Sequence, residues 1–240
     1  MSEIRRQSII SSAIVYIGFA LGILNTYLFT KEGGFTKEQY GLTGAFMAIA
    51  QVMFSVASLG MPAFIYKFFP YYNAHLPKRK SELLTMALLV SIVGFLLVIA
   101  GGYIFKDLVF KSYANSPQVI TYYKWLFPFG FGLTLFSVLE AYGWAIHRSV
   151  STNLLREVIF RLVTTFLFLF TVTGIIRTFD GFVHLYSFGY LFVALVLFIY
   201  LLAKKEAAIV FSISRVTVKF RKKILALVSY VWGGGMGYNI

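Results

Sequence analysis

Residues 83–105 read LLTMALLVSIVGFLLVIAGGYIF and contain no charged side chain. A helix rises about 1.5 Å per residue, so about 20 such residues cross the roughly 30 Å hydrocarbon core of a bilayer. This stretch is long enough, and five more resemble it: 8–29, 40–64, 126–146, 158–176 and 181–203. The expected fold is an all-α membrane protein. Its residues 1–203 form one bundle of six transmembrane helices, 204–223 a basic linker, and 224–240 the start of a seventh helix. Composition agrees, because 59% of the 240 residues are hydrophobic and 13% charged, too little polar cover for a water-soluble surface. Aromatic residues, 19% of the chain, crowd the ends of the apolar runs, where amphipathic rings favour the membrane interface.

The net charge of +13 does not point to nucleic acid. The bases lie in short patches between apolar runs, which suits anionic headgroups better. Sixteen of the 22 Lys and Arg residues fall on the side of the N-terminus and six on the other, which predicts a cytoplasmic N-terminus. The first apolar run is too long for a signal-peptide core and no small-residue cleavage site follows it, so Arg5-Arg6 is read as a helix-end anchor rather than a twin-arginine signal. The chain has no Cys and three dispersed His, so no metal or cofactor is expected. Residues 204–223 carry seven bases and one acid. Ile209, Ile213, Val216 and Phe220 suit one face of an amphipathic helix, while Val216, Val218 and Phe220 equally suit an extended strand or a solvated linker. The last apolar run begins at Ile224 and breaks off at Ile240 behind Gly233-Gly234-Gly235, so the chain is expected to be cut short.

Within the runs, polar and small residues mark faces that meet protein or water. Ser11, Gly18, Gly22 and Asn25 share a face of the first helix, and the Gly18/Gly22 pair reads chiefly as close packing. Asn25 is the better candidate for substrate contact. Gly44, Ala48, Gln51, Ser55, Ser58 and Pro62 make a stripe on the second helix, with Gln51 either interhelical glue or the lining of a hydrated cavity. Gly60-Met61-Pro62, and Pro128 with Gly130 and Gly132, permit bends. Charged groups inside spans cost about 2.5–3.5 kcal/mol at a helix centre on translocon scales, so Glu140 and Arg161 stand out. Both lie near helix ends, where snorkelling lowers that cost. Glu157 and Arg161 have the i, i+4 spacing of an ion pair. Arg161 is therefore either part of a structural cluster or a phosphate contact, and Lys67 and Arg156 at helix ends are weaker candidates. His75, His147 and His184 sit in separate connections, no carboxylate pair shares a face, and no phosphate loop follows a strand, so no enzyme chemistry is expected.

Four short motifs carry a resemblance. They are Arg5-Arg6-Gln7-Ser8 entering the first helix, Glu38-Gln39-Tyr40-Gly41 opening the second, Gly60-Met61-Pro62 followed by Lys67-Phe68-Phe69-Pro70, and His147-Arg148 with Arg156-Glu157 before the fifth. Together with the topology, they make the chain similar to the N-terminal half of the polysaccharide flippases of the multidrug/oligosaccharidyl-lipid/polysaccharide exporter superfamily. The resemblance implies two six-helix bundles around a central cavity, of which the C-terminal bundle is missing here. It implies alternating access, a bacterial inner membrane, and a lipid-linked oligosaccharide, undecaprenyl-pyrophosphate-linked, as substrate in surface polysaccharide (O-antigen) assembly. By position, Arg161, Lys67 and Arg156 would meet the pyrophosphate. The alternatives are a cation-coupled multidrug exporter, which calls for an acid deep in a helix, a membrane enzyme modifying glycans, and a non-transporting scaffold.

Overall fold

The computed structural model describes residues 3–31, 34–77 and 80–239, so the expected bases Lys78 and Arg79 lie outside the described residues. Apolar runs in this chain fold as helices, and no strand occurs among the described residues. Five helices there are long and apolar enough to cross a membrane, which is the build of a multi-pass membrane protein. They are α1 (Glu3–Thr30), α2 (Lys37–Ala57), α4 (Leu83–Ile104), α7 (Leu126–Ala145) with the turn before it, and the consecutive pair α10 (Phe179–Ser187) and α11 (Gly189–Ala203). Between them lie α3 (Met61–His75), α5 (Lys106–Ser112) and α6 (Pro117–Thr121).

The run expected at 158–176 is helical but differently built. It starts upstream as α8 (Ser149–Asn153), widens into a π-helical turn over Leu154–Ile159 and continues as α9 (Phe160–Val172). With 13 residues, α9 falls short of a crossing by itself, and the charged Arg156, Glu157 and Arg161 occupy the widened turn and the start of α9. The second expected helix also divides. Leu59 (φ 48°) and Gly60 (φ 72°) take left-handed backbone, which ends α2 and lets α3 start afresh. Pro62 then occupies the first turn of α3, where its missing N–H costs nothing. The permitted bend at Gly60-Met61-Pro62 is thus a full break. Pro128 sits within the first turn of α7, and α7 runs on through Gly130 and Gly132 to Ala145.

α7 is the axis of the fold. Most of its residues are buried, against α2, α3, α4 and α11. Gly132 lets α11 come so close that a Cβ there would collide with the backbone of Leu191, and Gly94 of α4 admits the backbone of Ala57 in the same way. Aromatic rings fill the centre: Phe129 stacks on Tyr186 at 5.0 Å, and Phe160 on Tyr190 at 4.1 Å.

α12 (Arg215–Asn239) starts inside the basic segment, and residues 204–214 lead to it as a strap. Thr85 Oγ1 accepts from Val210 N (3.0 Å), and Glu82 Oε1 accepts from Ser214 N (2.8 Å) and Thr217 Oγ1 (2.6 Å). Tyr142 Oη donates to the Glu206 carbonyl (2.8 Å), while the Glu206 carboxylate pairs with Arg148. These bonds hold the strap to the start of α4 and the end of α7, leaving Ile209, Phe211 and Ile213 exposed. Val216 and Ile224 of α12 are buried, and Phe220 packs on Tyr71 and Phe68 of α3. Burial disfavours the Glu82 charge, but the Ser214 and Thr217 hydrogen bonds outweigh it and hold the carboxyl below its ordinary value. Burial pushes the Tyr72 phenol, hydrogen-bonded to Thr217, up to about 12.

Candidate functional site

α1, α2, the widened turn, α9 and the α10–α11 pair enclose a cleft of about 750 Å³. Four of the six expected contact residues line it: Asn25, Gln51, Arg156 and Arg161. A second cleft of about 340 Å³ shares Gln51, Arg156 and Tyr190 with the first and adds Glu140, the fifth. Lys67 lies apart, exposed on α3 and lining neither cleft.

The charged residues form a chain of alternating sign. Arg156 Nη1 donates to Glu140 Oε2 (2.9 Å), its Nε lies 3.9 Å from Glu157 Oε1, and Arg161 Nη2 donates to Glu157 Oε2 (2.9 Å). The Glu157–Arg161 link is the i, i+4 pair that the spacing predicts. The Arg156–Glu140 link joins two helices and has no signature in the sequence. Glu140 is only 6% exposed, and its Oε1 is buried with no partner among the described residues. Two guanidinium groups and two carboxylates cancel formally, so the cleft is not a field of one sign. Each Arg has five N–H donors in a fixed fork, and the ion pairs described occupy few of them. Both side chains are partly exposed, 44% for Arg156 and 34% for Arg161. The remaining donors are therefore reachable by an anion, and the carboxylates set the direction of each fork.

The widened turn explains this placement. A π turn adds a residue to the helical repeat, which shifts the angular order of the side chains. Within it Arg156 reaches across to Glu140 of α7, while Glu157 faces α1. α1 accommodates the cluster because it is bare there. A Cβ on Gly18 would lie 2.7 Å from Glu157 Cβ, and one on Gly22 would collide with the Arg161 guanidinium. The Gly18/Gly22 pair thus packs closely, against charged rather than apolar neighbours.

Asn25 joins the same helices. Its Nδ2 donates to the Arg161 carbonyl (3.1 Å), and its Oδ1 accepts from Thr165 Oγ1 (2.5 Å). Its amide is engaged on both sides, which is the arrangement of interhelical glue. Gln51 is exposed to the cleft on α2 and its side chain has no hydrogen bond among the described residues, the arrangement of a lining residue. Tyr27, exposed, and Tyr40, half-buried, supply aromatic surface that sequence reading did not select, while Tyr186 and Tyr190 line the cleft as buried rings of the aromatic core. Among the described residues no cluster of three His, Asp or Glu side chains could hold a metal ion. His75 bonds the Tyr71 carbonyl, and His184 lies against Trp125 and Asp180. No protein-family model, no curated protein and no solved structure matches this chain, so the chemistry of the cleft is read from its own residues.

Proposed function

We propose that the chain is a membrane transporter of the flippase type, which moves a lipid-linked oligosaccharide across a bacterial inner membrane for surface polysaccharide assembly. The observation that supports this reading is the convergence of Arg156, Arg161, Gln51, Tyr27 and Tyr40 on one cleft among apolar helices. Spare guanidinium donors suit a phosphate group, the open ring of Tyr27 suits a sugar face, and the exposed amide of Gln51 suits hydroxyl groups. Nothing in this transfer makes or breaks a covalent bond. In this reading α8, the widened turn and α9 act together as a sixth crossing helix, the N-terminus lies in the cytoplasm, and rocking of the helices around the cleft exchanges access.

Expression of the full reading frame in a bacterium lacking its flippase tests the proposal. Restored surface polysaccharide, with lipid-linked intermediates cleared from the inner leaflet, is expected, and Arg161→Ala at normal protein level is expected to abolish both. Intermediates that stay trapped although the protein is inserted would sink the proposal.

One observation favours a second reading, cation-coupled export of a small molecule. Glu140 is a buried helical acid with an oxygen left unpaired among the described residues. Transport that survives Glu140→Gln with unchanged dependence on the ion gradient would eliminate it.

A further inference from the structure

A separate recess lies at the far end of α4 from Glu82, where α4 gives way to α5 and α6 and α7 begins. It holds about 350 Å³ and is lined by Tyr103, Lys106, Phe110, Tyr123, Lys124 and Phe127 among others. Its wall is rigidly built. The buried Tyr123 donates its hydroxyl to the Gly102 carbonyl (2.8 Å) and sets its ring edge-on to Phe110 and Phe127, at 5.4 Å in each case. Phe127 lies parallel to Tyr103 at 6.2 Å. Gly102 packs directly under this wall, where a Cβ would lie 2.6 Å from the Phe127 ring and force it to shift.

Two basic side chains, both exposed to solvent as well, line this wall. Lys106 Nζ is 5.0 Å from the centre of the Phe110 ring, and Lys124 lines the same recess. No acidic residue lines the recess, and among the described residues neither Lys forms an ion pair. Two like charges share one aromatic pocket without a counter-charge, which is an arrangement an anion completes. Depth identifies the kind of anion. The apolar spans Leu83–Ile104 and Tyr123–Ala145 both terminate here, and the ends of spans of this length fall where hydrocarbon meets headgroups. Beside the recess Tyr103, Ile104, Phe105 and Leu108 are exposed, a surface suited to acyl chains.

We propose that this recess binds the phosphate-bearing headgroup of an anionic membrane lipid. Lys106 and Lys124 meet the phosphate, the rings of Tyr103 and Phe127 meet the glycerol, and the acyl chains lie along Ile104 and Phe105. The volume accommodates a headgroup and leaves the chains in the bilayer.

The test titrates the purified full chain in neutral detergent with dihexanoyl phosphatidylglycerol and counts bound lipid by native mass spectrometry. Dihexanoyl phosphatidylcholine and inorganic phosphate run in parallel. Saturable binding of the phosphatidylglycerol alone is expected. Lys106→Gln with Lys124→Gln should weaken it roughly thirtyfold, about fivefold per lysine, while Lys204→Gln with Lys205→Gln should leave it unchanged. Equal helical content by circular dichroism would show that both double variants are folded. An undiminished affinity in the Lys106/Lys124 variant, an equal loss in the Lys204/Lys205 variant, or equal binding of phosphatidylcholine would each overturn the proposal. Equal saturation by inorganic phosphate would overturn its assignment to lipid.

Discussion

Arg156 and Glu140 are 16 residues apart in the chain and 2.9 Å apart in space, and their pair ties the widened turn to α7, the most buried helix of the fold. Removing Glu140 leaves the half-exposed Arg156 with only its longer 3.9 Å contact to Glu157. Glu140→Leu is expected to cost about 2 kcal/mol, below the range for a fully buried pair because the Arg156 side chain is 44% exposed. Adding Arg156→Leu should recover part of that loss, and thermal unfolding of the two single variants and the double variant measures the coupling.

α1 docks through the absence of side chains at Gly18 and Gly22. Gly18→Val would drive a branched side chain into the backbone carbonyl of Glu157, which cannot swing aside as the Arg161 guanidinium at Gly22 can, so a lower unfolding temperature and lost transport are expected together. Gly101→Val is the control, because nothing lies within 4 Å of the added Cβ and the residue lines none of the clefts described. Equal effects of the two substitutions would remove the steric argument.

Glu157 restrains Arg161. Glu157→Gln keeps the shape of the side chain but frees the guanidinium, so affinity for farnesyl pyrophosphate, a soluble stand-in for a polyprenyl pyrophosphate, should rise about tenfold. Fluorescence titration of the detergent-solubilised protein reads this directly. Weaker binding would mean that Glu157 mainly positions Arg161 and that the fork fails without it.

Glu82 makes the strap sensitive to acid. Its folded carboxyl titrates below its unfolded value, so its contribution is complete above the ordinary carboxylate range and is lost as pH falls through the lower folded value. The protection of the Val210 and Ser214 amides, taken relative to the intrinsic exchange rate at each pH, should therefore be high near neutrality and fall in acid. Glu82→Gln should lower that protection at neutral pH and flatten its pH profile.

Helix positions were legible wherever lipid selected them. The charge-free run at 83–105 returns as Leu83–Ile104, because its hydrophobicity decides both its location and its length. Gly60-Met61-Pro62 was read as a bend, yet the break also requires Leu59 in a conformation uncommon for a branched residue, and no sequence period encodes that. The Glu157–Arg161 pair was legible because helical spacing puts the two side chains on one face. Arg156–Glu140 was not, because it depends on a crossing between helices and on the widened turn. Gln51 and Asn25 looked alike in sequence, and only their neighbours separate a lining residue from glue. Glu82 was passed over, although it is an isolated acid directly before the most apolar run of the chain, which was the available signal.

The widened turn at Leu154–Ile159 is a dislocation in an otherwise regular lattice of hydrogen bonds. Absorbing its surplus residue into α-helical geometry would turn the side chains on one side of it by about 100° and slide them about 1.5 Å along the axis. A change of that size would swing a guanidinium off its carboxylate, so sliding the fault along the helix would open the charge chain with it.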